Sequence, residues 1–328
     1  MAYTTIDDPS AYFKVQNYIG TGSSNAVTFN DTDTDMQPDF VIIKDRDSGS
    51  NSHVTTDAIR GVNKILFTDS DSQELTDANR VSSYNSDGFT VGTDGSTNTN
   101  TNPYVAWCWK ESTTAGLDII DYDGSGSNAT VSHNLSAVPK TIWVKEYSNN
   151  TNWAIYHQGA GNTNFLKLND NAAVEDTDNW QDTDPTSSVF SIGSGGQTNN
   201  SGRDYIAYCF TGKQGFSKFG KYTGNGNADG AYVHLGFRAS LIILKRTGAS
   251  DHWWIHDNKR GGYNGNNKVL YTNIANAESD STSIDILSNG FKIRTTDSGY
   301  NPSGANMVYM AWADAPFVNS NGVPCNAR

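Results

Sequence analysis

Basic residues, glutamate, cysteine and long apolar runs are all scarce in this sequence of 328 residues. Lysine and arginine number 23 against 35 aspartates and glutamates, and the net charge of −12 argues against a nucleic-acid or anionic-membrane partner, which needs a basic face. No run approaches 18 apolar residues, so we expect no membrane-spanning segment. The first residues lack the apolar core of a secretory signal, and we therefore expect synthesis in a cytoplasm.

What the sequence does contain is aromatic residues and turn residues. The 16 Tyr, 13 Phe and 8 Trp supply bulky core material. Only five acidic residues are Glu, so most are Asp, and the polar remainder is dominated by Gly, Ser, Thr and Asn. This composition is typical of strands joined by many turns, and it disfavours helices.

One short motif recurs three times at nearly constant spacing. Tyr-x-Gly-x-Gly begins at Tyr18, Tyr122 and Tyr222, which are 104 and 100 residues apart. The motif lacks the following helix and the later acidic residue of a phosphate-binding loop. We therefore predict a structural turn with glycine at positions of positive φ.

Two apolar segments recur in the same order and with nearly the same period. The first reads PDFVIIK, PKTIWVK and ASLIILK, and each copy ends in lysine: Lys44, Lys145 and Lys245. The second reads YVAWCW, YIAYCF and YMAWAD, and each copy begins with tyrosine: Tyr104, Tyr205 and Tyr309. Three motifs that keep one order and one period indicate an internal repeat.

Shorter runs lie between these segments in every copy, including one around an aromatic residue at Phe89, Phe190 and Phe291. Short β-branched and aromatic runs separated by turn residues are typical of sandwiches and jelly rolls. We predict an all-β protein of three tandem β-sandwich modules, jelly-roll or lectin-like, in residues 1–112, 113–214 and 215–328, the last with a short C-terminal tail. Each module is large enough to fold alone as a separate bead, and the short linkers predict close packing of neighbours.

Cysteine is too rare and too widely spaced for a disulfide framework or a zinc site. We predict that Cys108 and Cys209 are free thiols at equivalent buried positions in the last strand of the first two modules. Ala313 is expected at that place in the third module, which suits a small core residue. The remaining cysteine, Cys325, lies in the C-terminal tail.

No residue pattern predicts catalysis. His252 and His256 are separated by strand-forming residues, and on a strand they would be roughly 13 Å apart, too far to share a metal. Asp31, Asp33 and Asp35 alternate as in a calcium loop, but the glycine and the closing glutamate of such a loop are missing. We predict no catalytic residue, no metal site and no cofactor, and leave adventitious calcium in Asp-rich loops open.

Tryptophans near the middle of the second and third modules have two interpretations. Trp153 and Trp254 occupy matching places, where the first module has His53, and we predict that they pack the sandwich core. Alternatively, Trp153, Tyr156, Trp253 and Trp254 form a platform on which a sugar stacks. Trp253 is the one that we expect to face outward, and it is the candidate glycan-binding residue.

Over almost its whole length the sequence resembles repeat-containing virion structural proteins of marine tailed phages, including cyanophages. The resemblance rests on MAYTTIDDPSAYF, PDFVIIK, DAIRGVNK and YVAWCWK in the first module and on GFSKFGKYTGNGNADG, LIILKRT and IDILSNGFKIR in the third. It implies a component of the tail-fibre or particle-surface kind with lectin-like β-sandwich modules. It provides no catalytic residue to transfer.

Two functional hypotheses of different class follow. The first is a non-enzymatic structural protein on the surface of a phage particle, in the tail, a tail fibre or a capsid decoration, in contact with other virion proteins. The alternative is a receptor-binding module that recognises host-surface glycans. We expect localisation in the virion and a homo-oligomer, first of all a trimer, although three modules in one chain can also mimic a trimer.

Overall fold

The computed structural model describes residues 4–29 and 34–315, and this part of the chain is an all-β protein. Its strands pair antiparallel throughout and form three tandem β-sandwich modules, which confirms the predicted fold class. Within the described residues helix is limited to single turns, among them α1, Gly95–Asn98, and α2, Gly196–Asn199.

The described part of the first module contains nine strands. They are β1 Phe13–Ile19, β2 Asn25–Thr28, β3 Phe40–Asp45, β4 Val54–Asp57, β5 Lys64–Phe67, β6 Leu75–Thr76, β7 Val81–Asn85, β8 Gly88–Val91 and β9 Pro103–Trp109. A six-stranded sheet has the order β1-β9-β3-β4-β5-β6, and a three-stranded sheet has the order β2-β8-β7.

The second module repeats this arrangement with eight strands. They are β10 Leu117–Asp123, β11 Ala129–Ser132, β12 Thr141–Glu146, β13 Ala154–His157, β14 Asn164–Lys167, β15 Glu175–Asp176, β16 Val189–Ile192 and β17 Asp204–Phe210. The larger sheet has the order β10-β17-β12-β13-β14-β15, and β11 pairs with β16 in the smaller one.

In the third module the two sheets are joined into one. Its strands are β18 Ser217–Thr223, β19 Tyr232–His234, β20 Leu241–Arg246, β21 Trp253–Asp257, β22 Asn266–Tyr271, β23 Ser279–Leu287, β24 Gly290–Ile293 and β25 Asn306–Trp312. They form an eight-stranded sheet, β18-β25-β20-β21-β22-β23-β24-β19. Because β23 is long enough to pair with both β22 and β24, the sheet curls into a nearly closed barrel.

The two glycines of the recurring turn are required for different reasons. The second glycine, Gly22 in the first module, has a φ of 71°, in the left-handed region that glycine tolerates, as predicted. The first glycine, Gly20, has no such φ, but a Cβ there would lie 2.1 Å from the carbonyl oxygen of Thr99. Equivalent approaches of 2.0 Å and 2.3 Å occur at Gly124 and Gly224.

A buried asparagine that was not predicted from the sequence holds each of these turns. In the second module, Asn199 Oδ1 accepts the backbone N–H of Ser125 at 2.7 Å, and its Nδ2 donates to the carbonyls of Ser127 and Gly193 at 2.6 and 2.8 Å. Asn98 and Asn301 make the equivalent bonds. Their spacing, 101 and 102 residues, was the available sign of a fourth repeated motif.

The larger sheet of each module is apolar on both faces. On β9, Tyr104, Ala106 and Cys108 pack into the module's own core, whereas Trp107 and Trp109 join a cluster with residues of all three modules. This explains why β9 is an almost continuous apolar run rather than an alternating one. The expectation of separate beads was therefore incomplete, since the modules also share a central core.

The strand register corrects the alignment of the third copy of the second apolar segment, the one that reads YVAWCW in the first module. Tyr104 pairs with Tyr18, but the partner of Tyr222 is Met307 and not Tyr309. The copy therefore begins two residues earlier than predicted. A shift by two residues keeps every side chain on the same face of a strand, so the apolar pattern does not distinguish the two registers.

This register also decides the cysteine positions. Cys108 and Cys209 are free, fully buried and at equivalent places, as predicted. The corresponding residue of the third module is Ala311 rather than Ala313, since Ala311 pairs with Lys218 as Cys108 pairs with Lys14. Cys325 lies outside the described residues.

Candidate functional site: the closed ring of three modules

Three aromatic rings mark the axis around which the modules meet. Trp109, Phe210 and Trp312 end the last strand of their modules and pair with equivalent residues of the first strand. Their ring centroids are 5.5 to 6.5 Å apart, and every pair is edge-to-face, a favourable aromatic geometry. Equivalent contacts from three equivalent positions give the chain pseudo-threefold symmetry.

Two tryptophans connect neighbouring modules through hydrogen bonds. Trp153 Nε1 donates to the carbonyl of Phe67 in the first module, and Trp253 Nε1 donates to the carbonyl of Lys167 in the second, both at 2.8 Å. Both indole rings are fully buried in the shared core. The N–H of the indole is thus paired, as a buried donor requires.

The prediction that Trp253 faces outward is therefore wrong. Trp254 pairs with Leu244 as Ala154 pairs with Val144, so the residue equivalent to Trp153 is Trp253 and not Trp254. A shift by one residue moves a strand side chain to the opposite face, which is why the misalignment reversed the assignment. Trp253 offers no ring surface to a sugar, whereas Trp254 is partly exposed.

In the first module His53 takes the place of these tryptophans. Its side chain is fully buried, and its Nδ1 lies 3.7 Å from a carboxylate oxygen of Asp69. The imidazole is smaller than an indole, and a small cavity lies beside it, lined mainly by apolar side chains together with Thr68 and Thr272. Its lining includes residues of the first module, Trp143 of the second and Ile255 of the third, so the cavity lies where the three modules meet.

The lysine that ends each central apolar strand is buried. Lys145 Nζ donates to the carbonyl of Asp71 in the first module, and Lys245 Nζ to that of Asn171 in the second, both at 3.2 Å. Lys44 Nζ instead donates to carbonyls of its own loop. Burial lowers the pKa of all three lysines to about 8. Two of the three recurring lysines thus connect successive modules.

Backbone hydrogen bonds close the ring in a threefold pattern. At each junction the N–H of one module donates to a carbonyl of the next at 2.9, 3.0 and 2.7 Å. The bonds run from Glu74 to Tyr147, from Val174 to Thr247 and from Glu278 to Arg46. The third bond joins the third module to the first, where no covalent linker runs.

A buried ion cluster lies at the junction of the first and second modules. Arg60, whose side chain is 2% exposed, donates from Nε to Asp57 at 2.8 Å and from Nη1 to Glu74 at 2.9 Å. The same Asp57 carboxylate accepts the hydroxyl of Tyr208 from the second module at 2.7 Å. Each buried charge therefore has a partner, as its low exposure requires.

The junction of the third and first modules repeats this cluster and extends it. Arg260 donates to Asp257 at 2.6 Å and to Glu278 at 2.9 Å, and Asp257 also accepts the Trp107 indole N–H of the first module at 3.1 Å. Arg46 of the first module adds a bidentate pair to Glu278 at 2.9 and 3.0 Å, a strong and directional contact. The junction without a linker thus has an additional ion pair.

The junction of the second and third modules uses neutral residues at the same places. His157, Ala160 and Val174 replace the aspartate, arginine and glutamate of the other two clusters. His157 Nε2 donates to the carbonyl of Tyr309 at 3.1 Å, and its Nδ1 accepts the N–H of Gly159 at 3.0 Å. These bonds fix a neutral imidazole, and burial lowers the pKa of His157 to about 4.

Acid is expected to destabilise the ring through its buried histidines. The pKa of His157 and of His256 is lowered to about 4 in the folded state, mainly by burial, against an ordinary value near 6.5. The unfolded chain therefore binds more protons between these values, and stability falls as the pH falls. We expect a loss on the order of 2 kcal/mol for each histidine from pH 6.5 to pH 5, measured by urea unfolding.

A double variant that lacks these two histidines isolates their effect. In the double variant His157→Gln and His256→Gln the slope of stability against pH should be markedly smaller over the same range. An equal slope in the double variant would show that other groups cause the acid sensitivity.

The remaining sequence candidates do not form a site. His256 is buried and bonded to Asn266 and Tyr300 at 2.9 Å each, while His252 is bonded to Asn273 at 3.0 Å. Within the described residues no group of three or more His, Cys, Asp or Glu side chains is arranged to hold a metal ion. Asp31 and Asp33 of the calcium-like segment lie outside these residues.

The fold and the junctions define a class, namely an all-β protein whose three sandwich modules close into a pseudo-threefold ring. The chain belongs to the family of the domain of unknown function DUF7483, whose model matches residues 8–316 and thus all three modules. A comparison with curated proteins finds no match. No helix of the described chain is long and apolar enough to cross a membrane.

Proposed function

We propose that this protein is a non-enzymatic structural component on the surface of a tailed-phage particle, in the tail, a tail fibre or a capsid decoration. The closed ring is the observation that supports this role most strongly. Its buried aromatic, ionic and polar groups are used to join the modules to one another, and the result is a rigid body with three similar sides. The sequence resemblance supplies the phage setting.

Pseudo-threefold symmetry also bears on assembly. Fibres and capsids offer threefold axes, and a single chain with three similar modules provides three similar contact surfaces at such a position. We therefore propose that one chain does here what a homotrimer of single modules would do. The net charge of −12 supports this setting, because a charged surface keeps particles dispersed.

Quantitative mass spectrometry of gradient-purified particles tests the role. We expect the protein in mature virions at a fixed ratio to the major capsid protein, together with surface labelling by an antibody. Absence from mature virions, or cleavage of glycans by the pure protein, would overturn the proposal.

Recognition of host-surface glycans is the second candidate function. One observation favours it, which is a partly exposed group of aromatic side chains on the third module, around Trp254.

A further inference from the structure

The third module has a group of aromatic side chains that its sister modules lack. Trp254 and Tyr271 face each other across β21 and β22 with ring centroids 5.0 Å apart, and His252 lies 5.1 Å from the Tyr271 ring. All three side chains are partly exposed. We call these three side chains, together with the neighbouring carboxylate of Asp251, the aromatic cluster.

The internal repeat shows that the fold does not require these residues. The second module has Asn152, Ala154 and Lys167 at the places of His252, Trp254 and Tyr271. The first module has Ser52, Val54 and Phe67 there, and the guanidinium of Arg80 covers the Phe67 ring at 5.1 Å. Only the third module thus places three aromatic side chains together at this position.

The hydrogen bonds around His252 fix which of its nitrogens is a donor. Asn273 Oδ1 accepts the backbone N–H of Trp253 at 3.0 Å, so its amide nitrogen is the atom 3.0 Å from His252 Nδ1. Nδ1 is therefore the acceptor, and in the neutral ring Nε2 has the hydrogen. Among the described residues neither His252 Nε2 nor the Tyr271 hydroxyl has a hydrogen-bond partner.

A carboxylate lies next to the tryptophan. A Cβ added at Gly299 would come within 2.9 Å of the Trp254 ring and 3.0 Å of both Asp251 carboxylate oxygens. The absence of a side chain at Gly299 keeps this space open between ring and carboxylate. Asp251 also accepts the backbone N–H of His252 at 2.8 Å, which holds the carboxylate in place.

We infer that the aromatic cluster binds a neutral hexose of a polysaccharide. An electron-rich ring face attracts the weakly positive C–H face of a sugar. The sugar hydroxyls can accept a hydrogen bond from the imidazole N–H and donate one to the carboxylate, and the tyrosine hydroxyl can do either. The Asp251 carboxylate and the net charge of −12 disfavour acidic sugars. The inference names the ligand class of the second candidate function and rests on it.

Tryptophan fluorescence provides a selective measurement. Seven of the eight tryptophans are fully buried, namely Trp107, Trp109, Trp143, Trp153, Trp180, Trp253 and Trp312. Quenching by acrylamide therefore reports on Trp254. We expect a glucose, galactose or mannose hexasaccharide to bind the pure protein, measured by calorimetry, and to protect Trp254 from the quencher.

Variants of the aromatic cluster distinguish binding from packing. Tyr271→Ala and His252→Ala should weaken binding roughly tenfold or more, and Tyr271→Phe, which keeps the ring, should have a smaller effect. Tyr232→Ala, an exposed aromatic elsewhere on the module, should bind normally. Failure of all three hexasaccharides to bind, or unchanged affinity in both His252→Ala and Tyr271→Ala, would overturn the inference. Either failure would leave the protein's presence in virions unaffected.

Discussion

Replacing Trp109 by alanine is expected to lower the free energy of unfolding by about 3–5 kcal/mol and to loosen all three modules. The indole is 2% exposed and packs on Phe13 and Phe40 of its own module with ring centroids 5.1 Å apart. It also contacts Phe210 and Trp312 of the other two modules. Removal of the ring therefore leaves a cavity on the axis that no single module can fill by relaxing.

Trp180→Ala is the matched control. Trp180 is equally buried, but it lies in the second module's own core beside Tyr156, at 5.9 Å. Hydrogen-exchange mass spectrometry should show faster exchange in β1, β10 and β18 for Trp109→Ala, and in second-module strands alone for Trp180→Ala. Changes confined to the first module in Trp109→Ala would contradict a shared core.

Arg60→Ala is expected to lower the free energy of unfolding by about 3–5 kcal/mol, because it leaves the fully buried Asp57 carboxylate without its cation. Glu74 keeps a second cation, Lys64, at 3.1 Å. Asp57 is fully buried and the Glu74 side chain is 15% exposed, and Arg60 is the group that pairs with both. Chemical denaturation of the variant and the wild type measures the difference.

The second module supplies the control for this prediction. Its neutral set can be transplanted with Asp57→His, Arg60→Ala and Glu74→Val, which introduces the residue types of His157, Ala160 and Val174. Because the triple variant buries no unpaired charge, it should recover at least half of the stability lost in Arg60→Ala. A triple variant as unstable as the single one would show that the lost stability does not come from unpaired charge.

The sequence predicted the repeat, the strands and the modules well, because apolar runs and turn residues are local properties. It missed the shared core for a physical reason. The continuous apolar runs that form β9, β12 and β20 are buried on both faces, and a sequence does not show whether the second face meets a partner chain, a second sheet or another module. The period of the repeat is the same in each case.

Errors of register had a different origin. The shift by two residues at Tyr309 was invisible because side chains alternate with a period of two. The shift by one residue at Trp253 and Trp254 reversed the buried and the exposed residue, and two adjacent tryptophans gave the pattern no way to choose between them. The sequence therefore predicted Trp253 on the outer face and Trp254 in the core, whereas Trp253 is buried and Trp254 is partly exposed.

The aromatic cluster became visible only in the structure, because its residues come from strands β21 and β22 and from the loop before β21. His252 and Trp254 are near in sequence, but Tyr271 belongs to the next strand. Gly299, which leaves the space beside Trp254 open, lies in a loop after β24. The comparison between modules was available from the sequence, yet it requires the correct register to show that Ala154 and Val54 occupy the place of Trp254.

Differential scanning calorimetry of the intact protein tests the central claim most directly, namely that three modules form one body around a common core. We predict a single transition whose calorimetric and van't Hoff enthalpies agree, the behaviour of one cooperative unit. Two or three separable transitions, each with the enthalpy expected for about 100 residues, would show that the modules unfold as independent beads and would contradict the closed ring.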